Sequence, residues 1–268
     1  MSAPMSDQPF TIEAGGHRLR AQWVAGPAEA GATALVFLHE GLGSIGQWRG
    51  FPAELCRATG LPGLIYERWG FGGSDRLELP RPTDYLAVEA ERALPEVLAA
   101  CGIARPILVG HSDGGSIALL FASAFPKDVV ACVSMAAHVF VEDVTIAGIR
   151  EVVARWKAGD LKPRLAKYHG ANTVTMFRGW AETWLRPDFR GWNIEDRLAA
   201  ITCPLLVIQG EDDEHGSVAQ VEAIAQGASG RAEAVMIPAC GHSPHLEAGE
   251  TVVSRIAVFV AALDNEPG

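Results

Sequence analysis

The run Gly110-His111-Ser112-Asp113-Gly114 constrains this chain more than any other stretch. It joins a short apolar segment, residues 106–109, to a run of small and apolar residues, 114–125, that Pro126 stops. The first reads as a buried strand and the second as a helix. A Gly-x-Ser-x-Gly turn between such elements is sharp, because a glycine on either side lets backbone approach backbone. The serine hydroxyl then stands at the apex, which makes Ser112 the candidate nucleophile. The bland alternative is a structural elbow in a protein that binds without reacting.

A serine hydroxyl needs a general base, and the base needs a carboxylate to orient it. Both types occur downstream in suitable settings. The apolar segment 205–208 ends in Gln209-Gly210-Glu211-Asp212-Asp213, which puts carboxylates at the end of a strand. The segment 234–237 runs into Pro238-Ala239-Cys240-Gly241-His242, which puts a histidine in the next strand-end loop. In an open parallel sheet such ends converge on one crevice.

Five blocks carry a resemblance to the α/β-hydrolase superfamily. They are Leu38-His39-Glu40-Gly41-Leu42-Gly43-Ser44, Glu67-Arg68-Trp69-Gly70-Phe71-Gly72-Gly73-Ser74-Asp75, the serine elbow, the turn from Gly210 to Asp213, and Gly241-His242. The order Ser, Asp, His is that superfamily's order, and the likeness covers nearly everything after the first ten residues. It implies an α/β fold with a mostly parallel eight-stranded sheet flanked by helices and a helical cap inserted after the sixth strand. The implied division is a first core part over 1–138, the cap over 139–202 and a second core part over 203–268. The family's carboxylate falls three residues after the glycine of its turn, which selects Asp213 with Asp212 as the alternative. Its histidine follows a glycine, which selects His242 over His245. The implied oxyanion hole is made by the N–H groups of Gly41 and Asp113.

The element order expected from periodicity is an antiparallel pair at 10–13 and 17–24, then strands at 34–38, 63–66 and 129–135 around the elbow strand. Ser44 and Gln47 have capping-box spacing, which predicts a helix starting near them with Trp48 and Leu55 turned inward. A helix over 85–101 is expected to be interrupted or kinked at Pro95. Ser217 and Gln220 repeat the capping-box spacing, and Ser243-Pro244 marks the start of the last helix.

Between 139 and 202 the alternation stops and helical periodicity takes over. Ile146, Ile149, Val153 and Trp156 share one spacing, and Val174, Phe177, Ala181 and Trp184 repeat it. Most of this stripe is expected to pack the cap on itself and on the core. Phe140, Trp156, Phe177, Trp180, Trp184 and Trp192 nevertheless concentrate aromatics near the elbow, and Trp180 and Trp184 are taken as pocket residues. This segment is net +2 while the remainder is net −12. The asymmetry points to a substrate that is anionic and hydrophobic, with exposed cations such as Arg178 and Arg186 supplying the field.

Composition excludes several classes. A formal charge of −10 opposes nucleic acid and anionic membrane surfaces. No stretch approaches the roughly 18 apolar residues of a membrane span, and Met1 to Asp7 has neither a basic nor an apolar leader region, so a cytoplasmic location is expected. Cys56, Cys101, Cys132, Cys203 and Cys240 lack metal or disulfide spacing and read as buried thiols. Neither a cofactor nor a metal is expected, and the expected partner is a small-molecule substrate.

Glu40 departs from the family's usual His-Gly pair. A carboxylate pointing into the oxyanion hole would oppose the charge forming there, so Glu40 is expected to pair with Arg68 or Arg49 or to point away, with a direct role as a second base or as a contact to a substrate N–H or hydroxyl as the alternative. His39 and His111 read as scaffold, and His138 as a substrate contact. The resulting reading is a cofactor-free serine hydrolase acting on a carboxylic ester or lactone. A thioester or the C–C bond of a vinylogous diketone would need the same triad, and a hydrolase-derived receptor or a cofactor-free oxygenase are the alternatives from other classes.

Overall fold

In the computed structural model, residues 8–26, 28–29 and 31–263 are described. The start, Met1 to Asp7, on which the leader reading rests, lies outside them. Eight strands form one sheet in the order β1-β2-β4-β3-β5-β6-β7-β8. They are β1 (Phe10–Ala14), β2 (His17–Val24), β3 (Thr33–Leu38), β4 (Gly63–Tyr66), β5 (Arg105–His111), β6 (Ala131–Met135), β7 (Leu205–Gly210) and β8 (Ala232–Ile237). β2 is antiparallel to both of its neighbours, β1 and β4, and every other adjacent pair is parallel.

The central strands are buried on both faces, which is why they read as unbroken apolar runs. Along β3 the side chains alternate between two cores: Val36 and Leu38 face one layer, Leu35 and Phe37 the other. The second layer is closed by α1 (Phe51–Thr59) and, after the short α10 (Pro244–Glu247), α11 (Gly249–Leu263). The first is closed by α2 (Tyr85–Val88), α3 (Leu94–Ala100), α4 (Asp113–Ala124) and α9 (Val218–Gly227). Between β6 and β7 run α5 (Asp143–Ala158), α6 (Leu161–His169), α7 (Thr173–Trp184) and α8 (Glu195–Leu198), whose Ile149, Leu165, Met176, Trp180 and Trp184 join that first core. At the α6–α7 junction Asn172 Nδ2 donates to the carbonyls of Gly72 and Ser74, which docks these helices on the loop after β4.

Several local expectations are corrected. Ser44 Oγ donates to Gln47 Oε1, but the capping box does not form and Ser44 opens only a 3-10 turn over Ile45–Trp48. Arg49 then takes a φ of 53°, which no α-helix tolerates, and α1 begins at Phe51; Trp48 and Leu55 are buried as expected. In the second box Ser217 does cap α9, accepting from Ala219 N–H, but Gln220 turns away to bond Val139 N–H and the Phe140 carbonyl. The helix expected over 85–101 is interrupted just ahead of Pro95 by a π-turn over Glu89–Ala93, and α3 resumes at Leu94. On α7, Val174 is exposed instead of facing the core. The strand expected over 129–135 starts at Ala131.

The elbow depends on two close approaches. A methyl added at Gly114 would lie 1.8 Å from the Leu38 carbonyl oxygen, and one at Gly110 would lie 2.2 Å from the Gly114 carbonyl oxygen. Both obstacles are backbone atoms that cannot swing aside. Gly114→Ala is therefore expected to cost about 3 kcal/mol, a fall in Tm of roughly 6–12 °C for a chain of this size. Gly249→Ala, which opens into free space at the start of α11, is the control and should leave Tm level or slightly raised. Equal thermal melts for the two variants would remove the packing argument.

Candidate active site

Ser112 sits between β5 and α4 with φ 52° and ψ −118°, a conformation that side chains rarely adopt. Its N–H donates to the Met135 carbonyl at 2.8 Å, so β6 helps to hold the turn. The strain lifts the hydroxyl out of the sheet edge toward the loop after β8. There His242 Nε2 lies 2.9 Å from Ser112 Oγ. On the far side of the ring, Nδ1 lies 2.9 and 3.0 Å from the two carboxylate oxygens of Asp213. With Nδ1 carrying the proton that Asp213 accepts, Nε2 is left to accept from the serine hydroxyl.

Asp213 is fixed in turn, because Oδ1 also accepts from the N–H groups of His215 and Gly216. Its side chain is 1% exposed. Asp212, the alternative carboxylate, is exposed and engages the Cys240 carbonyl only through its own N–H. His245 is buried against Trp48, Phe51 and His111, away from Ser112. The structure thus brings together Ser112, Asp213 and His242 and leaves out Asp212 and His245.

Gly41 and Asp113 both line the small cavity in front of Ser112, and neither N–H meets a hydrogen-bond acceptor among the described residues. Gly41 must be a glycine, since a methyl there would lie 2.2 Å from Trp180 Nε1. The Asp113 carboxylate points the other way, accepting from Tyr85 Oη at 2.7 Å and standing 3.6 Å from Arg68. Tyr85 accepts in turn from Trp184 Nε1. The expected Glu40–Arg68 ion pair is not formed among the described residues. Arg68 instead donates to the backbone carbonyls of His39 and Glu40, and the Glu40 carboxylate accepts from Leu42 N–H within its own loop. Its enclosure raises Glu40 to about 7, Asp113 adding to the rise while Leu42 N–H and Arg68 oppose it.

The cavity measures about 80 Å³. Trp180, Trp184 and His138 all line it with Glu40, and Thr145, Ile149, Val152 and His215 complete it. His138 Nε2 and Thr145 Oγ1 both donate to the His215 carbonyl, and the His215 ring packs 4.6 Å from that of His242. Sequence reasoning missed His215 and Thr145. A histidine two residues after the selected aspartate was a readable signal for the first; nothing local marks the second. Trp156 and Phe177 stack on each other at 3.9 Å, and Phe189 and Trp192 at 5.7 Å, so these aromatics serve packing. Arg178 and Arg186 are exposed and paired with Glu182 and Asp188, which weakens their claim to steer a substrate.

Comparison with known proteins shows the family and the fold. The family model described as the alpha/beta hydrolase family matches residues 35–255. The human protein named serine hydrolase BPHL is 26% identical over 159 residues, 56% of this chain and 53% of its own length. The chain spans about half the length of the human and mouse relatives it matches. Among solved structures, a bacterial membrane phospholipase A superposes with a TM-score of 0.77 at 19% identity, covering 97% of this chain and 87% of that one. A serine hydrolase involved in carbazole degradation superposes with a TM-score of 0.75 at 20% identity, covering 96% and 100%. At these identities the two structures speak to the fold.

Burial holds six histidines, His39, His111, His169, His215, His242 and His245, below their ordinary value. His111 is lowered to about 3 and His169 to about 4. The unfolded chain protonates these side chains from pH ~6.5 downward whereas the folded chain does not, so acid favours unfolding. Glu40, Glu89 and Asp213 are raised by burial and act in the opposite sense, taking up protons more readily when folded. Six groups outweigh three, and Tm is expected to fall as pH drops from 7 to 5. For His242, the same burial places the acid limb of any kcat/KM profile below pH ~6.5. Melting curves and a pH–rate profile check both; a Tm that rises toward pH 5, or an acid limb above 6.5, contradicts them.

Proposed function

The chain belongs to the alpha/beta hydrolase family, and within it we propose a serine hydrolase that cleaves a carboxylic ester or lactone through an acyl-enzyme on Ser112. One observation carries the reading. An unbroken line of hydrogen bonds joins Ser112 Oγ to His242 and His242 to Asp213, on an elbow whose backbone is strained at Ser112. In the proposed reaction His242 Nε2 takes the hydroxyl proton as Ser112 Oγ adds to the substrate carbonyl. The N–H groups of Gly41 and Asp113 hold the oxyanion, and Asp213 steadies the imidazolium. Collapse expels the alkoxide, which His242 protonates. Water then adds to the acyl-enzyme by the same proton path and releases the acid and free Ser112.

No cofactor is needed for these steps, and the partner is a small molecule. A cavity of about 80 Å³ takes a short acyl or alcohol group against Ile149, Val152, Trp180 and Trp184. A larger substrate requires α5 and α7 to part from the sheet, which is the cap role we assign to α5–α8. A thioester would react by the same route.

Ser112→Ala is expected to abolish turnover of p-nitrophenyl esters with Tm retained. Asp213→Asn should lower kcat on the order of 10³- to 10⁴-fold, while Asp212→Asn should change it by less than about tenfold, being exposed and off the line. Labelling by a fluorophosphonate with multiple turnover supports the reading. Retained hydrolysis in Ser112→Ala sinks it, and labelling with a single turnover favours a receptor instead.

A further inference from the structure

A second and larger cavity, about 350 Å³, lies beside the candidate active site and has no part in the reaction just described. Its walls come from the loop after β3, the turn before α10 and the outer face of α6. Three cations stand around it: Arg49, Arg164 and Lys167. Among the described residues none of the three has an ion pair or a side-chain hydrogen bond, in contrast to Arg155, Arg178, Arg186, Arg190 and Arg197 nearby. Glu40 is the one carboxylate in the lining.

Two further observations concern the floor and the rim. Trp48 and His245, 2% and 6% exposed, form part of the lining, and Trp48 Nε1 and His245 Nδ1 are buried there without a hydrogen-bond partner among the described residues. Leaving such groups unmatched is costly, but both atoms are covered from the cavity, so they mark strain beneath its floor rather than contacts for an occupant. Arg49 is held at φ 53° and ψ −134°, a region all but reserved for glycine, and that strain fixes a cation at the rim. Tyr168 and Leu246, both unusually exposed for large side chains, stand at the same rim and offer an apolar surface to the body of a ligand.

We propose that this cavity is a second ligand site, which takes the carboxylate or phosphate group of a small anionic molecule. Arg164 and Lys167 are three residues apart on α6 and so share a face, opposite Arg49 on the loop. Three unpaired cations converging on one concave surface suit an oxyanion better than any neutral group. The site also abuts the catalytic residues. His111, in its wall, precedes Ser112 and donates from Nε2 to the His242 carbonyl at 2.7 Å, and Glu40 faces both cavities. The anion is either a free small molecule or the remote end of a substrate that reaches from one cavity into the other. The proposal stands on this cavity's own residues and does not require Ser112 to be a nucleophile.

Calorimetric titration of wild type and of Ser112→Ala with glutarate and with inorganic phosphate tests it, with glutaramide as the neutral control. Saturable binding of one anion per chain is expected in both proteins, with no binding of glutaramide. Arg49→Gln, Arg164→Gln and Lys167→Gln should each weaken it about tenfold, the worth of one charge-assisted contact. Lys167→Arg should retain it, and Glu40→Gln should tighten it above pH ~7, where Glu40 is ionised and opposes the anion. Arg164 and Lys167 are exposed, so their variants will fold, and circular dichroism verifies this. Absence of saturable binding, or equal affinity across the charge variants, overturns the site. Hydrolysis of a neutral ester separates the two sources: competitive inhibition by glutarate marks the substrate's own anionic end, and noncompetitive inhibition or activation marks a free anion. Should the chain prove inactive on esters, the titrations still decide.

Discussion

Arg68 carries a charge into the interior between β3 and α4, and the loops on both sides of the candidate oxyanion pocket are arranged around satisfying it. Its guanidinium donates to the carbonyls of His39 and Glu40, stands 3.6 Å from Asp113 and lies 4.7 Å over the Phe71 ring. Taking a cation out of water costs several kcal/mol, so these partners cannot be removed singly without leaving a buried charge uncompensated. The consequence reaches the chemistry. Arg68 ties down the two residues before Gly41 through their carbonyls and the residue after Ser112 through its carboxylate. The two backbone N–H groups assigned to the oxyanion are thus held to one side chain. Tyr85 and Trp184 extend the network to α7, so the same charge also anchors the wall of the cavity.

This arrangement explains why Glu40 does not pair with Arg68. The guanidinium turns Nη2 to the His39 and Glu40 carbonyls and Nη1 toward Asp113, and the Glu40 carboxylate closes on Leu42 N–H, where enclosure favours its neutral form. A neutral or half-neutral Glu40 no longer opposes an oxyanion at Gly41. The departure from His-Gly is then tolerable next to the reaction centre, and it leaves a hydrogen-bonding group on the wall between the two cavities.

What the sequence disclosed was local. The elbow was legible because strand, glycine, serine, glycine and helix lie within about twenty residues and each obeys a short-range rule. Carboxylates and a histidine near one crevice were legible because strand ends in a parallel sheet converge whatever the intervening chain does, while the choice of Asp213 over Asp212 and His242 over His245 came from the spacing of the family that the chain resembles. The Ser44 box failed because spacing records which side chains can meet, while the backbone at Arg49 decides whether a helix follows. Gln220 failed for a related reason: its amide found carbonyl and N–H partners at 139–140, some eighty residues away, that beat a local cap. Arg68, Tyr85 and Thr145 were not legible at all, since their roles exist only once β4, α2 and α5 are packed against the elbow. The segment 139–202 was read as the basic part of an acidic protein, and the arginines named for its field, Arg178 and Arg186, prove to be paired with Glu182 and Asp188. Net charge in a segment says nothing about which cations are already paired: those two are, whereas Arg150 and Lys157 on α5 and Arg164 and Lys167 on α6 have no ion pair among the described residues.

In the reading proposed above His242 must be uncharged before it can act as the base of Ser112, and burial holds it well below its ordinary value. Its ring lies within 6 Å of the rings of His111, His138 and His215, so a proton on any of them would raise the cost of the imidazolium that forms in the reaction. His111 and His215 avoid this by burial, which lowers both, and each has a defined task as a neutral ring or loop anchor. Asp213 is then left as the adjacent carboxylate able to stabilise the transient cation, at hydrogen-bonding distance and with its remaining lone pairs filled by the backbone of His215 and Gly216. A crowd of imidazoles around a catalytic one looks redundant in the sequence. In the fold burial holds two of them, His111 and His215, below their ordinary value, while His111 and His138 donate to the carbonyls of His242 and His215.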